Sequence, residues 1–84
     1  MKVKEQLLNA LQIEKKGDWD IAHKIVQDIE HPLAYWIHAY LHRKEPDKAN
    51  AAYWYSRANK SVPTYNFDKE WQELKDFVSV WDGN

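Results

Sequence analysis

The chain has 84 residues, with 12 basic and 13 acidic side chains, five tryptophans, five tyrosines and no cysteine. A short domain without cysteine cannot rely on disulfides or on a thiolate metal site, so its large aromatic rings must supply much of the buried area. Basic residues are adjacent only at positions 15–16 and 43–44, which argues against the clustered positive charge that nucleic acid binding requires.

The N-terminal segment is too polar for a targeting or membrane-spanning segment. Gln6, Asn9, Gln12 and Glu14 interrupt the apolar residues before any run reaches the length of a signal-peptide core or a membrane span. We therefore expect a cytoplasmic protein with neither a membrane partner nor a nucleic acid partner.

Turn and cap signals divide the chain into five predicted helices within a single domain, residues 1–84. Gly17 ends the first helix and Asp18 offers an N-cap for the second. Pro32 limits the second helix because the residue before a proline leaves helical geometry, and Pro46 separates the third helix from the fourth. A turn-rich linker precedes the fifth. The predicted helices cover about residues 3–16, 19–30, 33–44, 48–60 and 68–81.

Apolar residues recur at the three- and four-residue steps of amphipathic helices, and no segment shows the alternation of a strand. The predicted inward positions of the first three helices are Leu7, Leu8, Leu11, Trp19, Ala22, Val26, Ile29, Leu33, Trp36, Ile37, Tyr40 and Leu41. Those of the last helix are Trp71, Leu74, Phe77, Val78 and Trp81. The charges of the last helix are expected on its solvated side, namely Lys69, Glu70, Glu73, Lys75 and Asp76.

The second and fourth helices begin in the same way. Asp18 and Asp47 each open the second helix of a hairpin, and a shift of about 29 residues superposes Ala22 on Ala51. Tetratricopeptide-type arrays have a similar period and place an alanine in the second helix of the repeat. The sequence therefore predicts an all-α fold of about five helices, arranged as two tetratricopeptide-like antiparallel hairpins plus a C-terminal capping helix.

Two segments, GDWDIAHKIVQ at 17–27 and HAYLHRKEPDKANAAYWYSRA at 38–58, carry many polar and aromatic residues in a distinctive order. The chain resembles, over about half its length, a small and mostly bacterial family of helical proteins with no assigned function. The resemblance implies glycine where this chain has Pro46. It supports the helical interpretation and implies no substrate, cofactor or catalytic step.

Histidines form the candidate site. His38 and His42 lie one helical turn apart, so both rings point along one face of the third helix. An antiparallel hairpin about residue 46 brings His42 level with Asn50 and His38 level with Trp54, while the returning second helix adds His23. The candidate binding residues are His23, His38, His42, Asn50, Tyr53, Trp54 and Arg57.

Four roles are open for these residues. Buried His, Asn and Arg side chains commonly satisfy one another, which would make the cluster structural. With aromatic walls and Arg57 as an anion clamp, it would be a pocket for a small molecule or peptide. Three histidines with an open fourth position would suit zinc, and one of them would serve as a general base near neutral pH. No dense ligand motif, held nucleophile or phosphate loop accompanies them.

We expect a non-enzymatic protein-interaction module with no cofactor. Helical-hairpin stacks accept a peptide or helix on their concave side, and Tyr, Trp and Arg anchor such contacts most often. The third and fourth helices are the predicted face for a protein partner or for a second copy of the chain. The alternative is a small-ligand or metal-binding protein whose weak metal candidates are His23, His38 and His42. His31, before Pro32, is expected to cap a helix.

Overall fold

The computed structural model describes residues 2–83, so positions 1 and 84 of the predicted domain lie outside the described residues. The helices are α1 (Val3–Lys15), α2 (Trp19–Val26), α3 (Pro32–Lys44), α4 (Lys48–Arg57) and α5 (Phe67–Val80). Residues 2–83 contain no strand. The predicted all-α fold of five helices is confirmed.

The helices pack as two hairpins closed by the last helix. α1 packs on α2 and α3 packs on α4, α2 joins the hairpins through α3, and α5 lies against both α1 and α3. α3 is the centre of the molecule, because each of the other helices contacts it and eight of its residues are buried. Polar side chains on α3 are therefore carried into the interior, His38 and His42 among them.

The helix starts follow from the predicted caps. The Asp18 side chain accepts a hydrogen bond from the Ile21 amide at 3.1 Å, and that of Asp47 accepts one from the Asn50 amide at 3.2 Å. His31 precedes α3, and its Nδ1 accepts a hydrogen bond from the Leu33 amide at 3.1 Å. The capping role expected of His31 is confirmed.

Two helices end earlier than predicted. α2 stops at Val26 rather than near residue 30, since Asp28 and Glu30 would otherwise place carboxylates at the negative end of the helix dipole. α4 stops at Arg57 rather than near residue 60, because Asn59 takes a left-handed conformation with φ of 59°. The following Lys60 amide then donates back to the Tyr55 carbonyl, a common helix ending.

The core lies between the two hairpins and α5. Trp71, Leu74 and Val78 of α5 are buried, and the Trp71 indole donates a hydrogen bond to the Leu11 carbonyl of α1 at 2.9 Å. Phe77, expected to point inward, is half exposed and touches Trp36 only edge-on. Glu70, expected on the solvated side, is fully buried, because it accepts hydrogen bonds from donors on α3 and α4.

Within residues 2–83, no helix has both the length and the apolar character needed to cross a membrane.

Candidate functional site

Three imidazole rings meet where α2 lies against α3. The ring centroid of His23 lies 4.6 Å from that of His38 and 5.2 Å from that of His42. His38 and His42, one turn apart on α3, have centroids separated by 4.9 Å. The predicted meeting of the three imidazoles is therefore observed, and we call these three residues the histidine cluster.

Two indoles enclose the histidine cluster. Trp19, at the start of α2, stacks on His23 with centroids 4.9 Å apart, and its Nε1 donates a hydrogen bond to the Leu41 carbonyl at 2.7 Å. Trp54 of α4 stacks on His38 at 4.0 Å, as the hairpin register predicted. Trp19 also meets His42 edge-on at 5.8 Å, so each ring of the cluster contacts an indole, which limits how much water reaches it.

The three histidines differ in their hydrogen bonds. Nδ1 of His42 lies 2.7 Å from Oε1 of Glu45, three residues further towards the C-terminus. The rings of His23 and His38 make no hydrogen bond to any group between residues 2 and 83. In the same part of the protein, no side-chain nitrogen is both sealed from solvent and without a partner. The His38 nitrogens are therefore not completely sealed from solvent, although that residue is only 5% exposed.

Burial and mutual repulsion keep two of the rings neutral. Burial, followed by the nearby His23 and His42, lowers the pKa of His38 to about 4. Burial, followed by His42, also lowers the pKa of His23, although Glu45 and Asp20 act in the opposite direction. Both imidazoles are therefore neutral at pH 7, and each has one nitrogen lone pair available to a ligand.

The nitrogen atoms are close enough to be considered as metal ligands. One ring nitrogen from each residue of the histidine cluster lies within 4.8 Å of the other two. An overlapping group consists of His42, Glu45 and Asp47, but both carboxylates already have hydrogen-bond partners. The histidine cluster is thus the set whose ligand atoms are least engaged by the protein.

A second part of the candidate site lies on the outer side of Trp54. The guanidinium carbon of Arg57 lies 4.5 Å from the ring centroid of Tyr35, 5.1 Å from that of Trp54 and 5.9 Å from that of Tyr53. Tyr53 meets Trp54 edge-on at 5.1 Å and is 54% exposed. We call Tyr35, Tyr53, Trp54 and Arg57 the aromatic surface.

The predicted site therefore separates into two parts joined by Trp54. Asn50 belongs to neither, because its side-chain amide donates to Asp47 at 2.8 Å and the residue is exposed at the start of α4. Its expected part in the site stays a prediction, since Asp47, the partner of its amide, lies close to His42. Tyr53 and Arg57 lie on the aromatic surface, with no hydrogen bond to the histidines.

Three residues of the site are not among the predicted candidates, namely Trp19, Tyr35 and Glu45. Glu45 was not considered beside His42, although a separation of three residues on a helix places two side chains on one face. Trp19 was predicted as core packing, and its stacking on His23 depends on an i,i+4 spacing that the sequence displays.

Comparison of this protein with protein-family models, with curated proteins and with solved structures finds no match. The family resemblance stated above therefore stays a prediction.

Proposed function

We propose that this protein is a cytoplasmic, non-enzymatic interaction module that binds a protein partner through its aromatic surface. The observation that supports this most directly is the environment of Arg57. Its guanidinium lies over three aromatic rings, and it forms no ion pair with any carboxylate in the part of the protein that the structure describes.

The composition of this surface matches that of energetically important protein contacts. Arginine, tyrosine and tryptophan are the side chains that most often dominate binding energy. A guanidinium already resting on ring faces loses little conformational freedom when a carboxylate binds it, and its planar shape allows two parallel hydrogen bonds. The partner segment should therefore present an Asp, a Glu or a terminal α-carboxylate to Arg57.

The aromatic surface rests on buried side chains. Trp54 stacks on the buried His38, so the exposed rings rest on the packed interior of the α3–α4 hairpin. A preorganised surface binds more tightly because less order has to be gained on association. Tetratricopeptide-like hairpins bind peptides on such helical faces, and we extend that expectation to α3 and α4.

Photo-crosslinking in the native host tests this proposal. A photoreactive phenylalanine analogue replaces Tyr53 in one variant and Phe77, an exposed aromatic residue on α5, in a matched control. We expect a discrete protein adduct from position 53, its loss when Arg57→Gln is added, and no such adduct from position 77. An adduct of twice the mass of the protein would identify a second copy as the partner.

Binding measurements then quantify the contact. With the captured partner purified, Arg57→Gln should weaken binding about 30-fold, the loss typical of a dominant contact residue. Equal crosslinking from positions 53 and 77, or an affinity unchanged by Arg57→Gln, would contradict the proposal.

A further inference from the structure

We propose that His23, His38 and His42 bind one divalent transition-metal ion, with zinc as the expected metal and the fourth coordination position open to an outside ligand. This site lies behind the aromatic surface and does not depend on the proposed protein partner. Its three ligands come from α2 and α3 alone. His23 lies 15 positions before His38 in the sequence.

The distances allow coordination after small side-chain movements. Zinc binds imidazole nitrogen at about 2.0 to 2.1 Å, so two ligands in a tetrahedral site are about 3.3 Å apart. In this structure the three nitrogens lie within 4.8 Å of one another. Rotation about side-chain torsions has to close this difference, starting from ring centroids that are already 4.6 to 5.2 Å apart.

The protein leaves the ligand lone pairs available. His23 and His38 make no hydrogen bond within the described residues, so no existing bond has to break before they bind a metal. On His42, donation from Nδ1 to Glu45 fixes the tautomer and leaves the lone pair on Nε2. A carboxylate that accepts from the far nitrogen of a ligating histidine is a recurrent feature of zinc sites.

The geometry of α3 also fits a metal site. His38 and His42 are four residues apart, the spacing at which two helical histidines point at one ion. The third ligand arrives from the antiparallel neighbour α2, which places it on the same side as the other two. Because all three ligands lie on packed helices, binding has to order side-chain torsions but no loop, and this limits the entropy lost on binding.

The donor set determines the class of metal. Three neutral imidazole nitrogens favour Zn²⁺, Cu²⁺, Ni²⁺ or Co²⁺ over Mg²⁺ and Ca²⁺, which prefer oxygen. The nearby carboxylate of Glu45 accepts a hydrogen bond from His42 and so supports that ligand without binding the ion. An external molecule, such as water or an anion, would therefore occupy the fourth position of a four-coordinate ion.

Metal titration of the full-length protein tests the site. The protein is prepared without a histidine tag, stripped of metal with a chelator, and titrated with Zn²⁺ by calorimetry and with Co²⁺ by visible absorption. We expect one ion per protein molecule and the intense visible bands of four-coordinate cobalt. Zinc at a hundredfold excess over its Kd should raise the Tm by at least about 10 °C, whereas Mg²⁺ should not change it.

Variants separate this site from adventitious binding. His23→Gln removes a half-exposed ligand, so the variant should fold, as circular dichroism can verify, and should lose the cobalt bands. His31→Gln is the matched control, because this fourth histidine caps α3 and stacks near Trp81 and belongs to no group of candidate ligands in the described residues. The variant should bind zinc as the unmodified protein does. Glu45→Gln should weaken zinc binding about 10- to 100-fold without removing a ligand.

The proposal is overturned if the protein binds no zinc, or if His23→Gln binds it as tightly as the unmodified protein. Zinc binding that is lost equally in His23→Gln and His31→Gln would also overturn it, since this would mark non-specific histidine binding. Because these measurements use the purified protein by itself, failure here leaves the protein-partner proposal to its own crosslinking test, and success does not support it.

Discussion

Two buried polar regions of this small protein are built in opposite ways. Glu70 on α5 is fully buried and accepts hydrogen bonds from the Trp36 indole at 2.9 Å, the Tyr55 hydroxyl at 2.5 Å and the Arg43 guanidinium at 2.8 Å. Burial, followed by the bond to Glu70, raises the pKa of Tyr55, so its phenol remains a donor. The carboxylate thus has a charged partner and two neutral donors, which join α3, α4 and α5.

Two rings of the histidine cluster lack such partners. Within residues 2–83, His42 is the only one of the three with a hydrogen bond, although His38 is as deeply buried as the core residue Trp71. Buried polar groups in stable proteins are normally hydrogen-bonded, because each lost partner costs free energy. The Glu70 region therefore has the properties of a structural element, whereas the histidine cluster has those of a site whose partners come from outside the protein.

The largest effect that this comparison predicts is the loss of stability on removal of Glu70. Glu70→Ala leaves the Trp36 and Tyr55 donors and the Arg43 charge without their acceptor, and it opens a cavity. We expect the free energy of unfolding to fall by about 3 to 5 kcal/mol, a large part of the total for a domain of this size. Urea denaturation followed by tryptophan fluorescence measures it.

The matched control is Asp76→Ala on the exposed side of the same helix. This variant should stay within about 0.5 kcal/mol of the unmodified protein. If Glu70→Ala unfolded at the same urea concentration as Asp76→Ala, the hydrogen bonds of Glu70 would contribute nothing to stability. The Glu70 region would then not be a structural element, and the contrast with the histidine cluster would fail.

The histidine cluster could be predicted because it depends on local spacing and hairpin register. The i,i+4 spacing of His38 and His42 fixes their common face, and the turns near residues 31 and 46 set what lies opposite. Stacking of His38 on Trp54 follows from the same register. Register does not determine the hydrogen-bond partner of a flexible polar side chain, and the bond from the Asn50 amide to Asp47 was not predicted for this reason.

The Glu70 region was not predicted because its partners are distant in the sequence. A glutamate among Lys69, Glu73 and Asp76 is most simply a solvated residue. Only its spacing, four residues before Leu74 on the apolar stripe, indicates that it faces inward. The three donors that make its burial favourable come from α3 and α4, and the packing of α5 against α3 cannot be derived from the sequence of α5.

The second predicted effect is a loss of stability in acid, measured on metal-free protein. The pKa of His38 is lowered from 6.5 to about 4 in the folded state, so between these values the unfolded state binds a proton that the folded state does not. Stability is therefore complete above pH 6.5 and falls as the pH decreases toward 4, by about 3 kcal/mol from this residue. His23, with a pKa lowered by burial and by His42, acts in the same direction.

Comparison of urea midpoints at pH 7.5 and pH 4.5 isolates this contribution. His38→Leu removes the titrating ring, so its stability should depend less on pH than that of the unmodified protein. The titratable groups that act on the His38 ring, His23 and His42, remain in the variant, as does Glu45, which acts on His23. An identical pH dependence in the two proteins would show that His38 is protonated equally in the folded and unfolded states.

The smallest predicted effect is the most direct test of the difference between the two regions. At pH 7.5 and without metal, His38→Leu should change the free energy of unfolding by no more than about 1 kcal/mol, with stabilisation the expected direction. Leucine has a similar volume, keeps an apolar contact with Trp54 and removes nitrogens that have no partner in residues 2–83.

His42→Leu, the same change one turn away, removes a bond to Glu45 and should cost about 0.5 to 1.5 kcal/mol. If His38→Leu cost as much as Glu70→Ala, the cluster would stabilise the fold in the same way as Glu70, and its unpartnered nitrogens would no longer indicate a ligand.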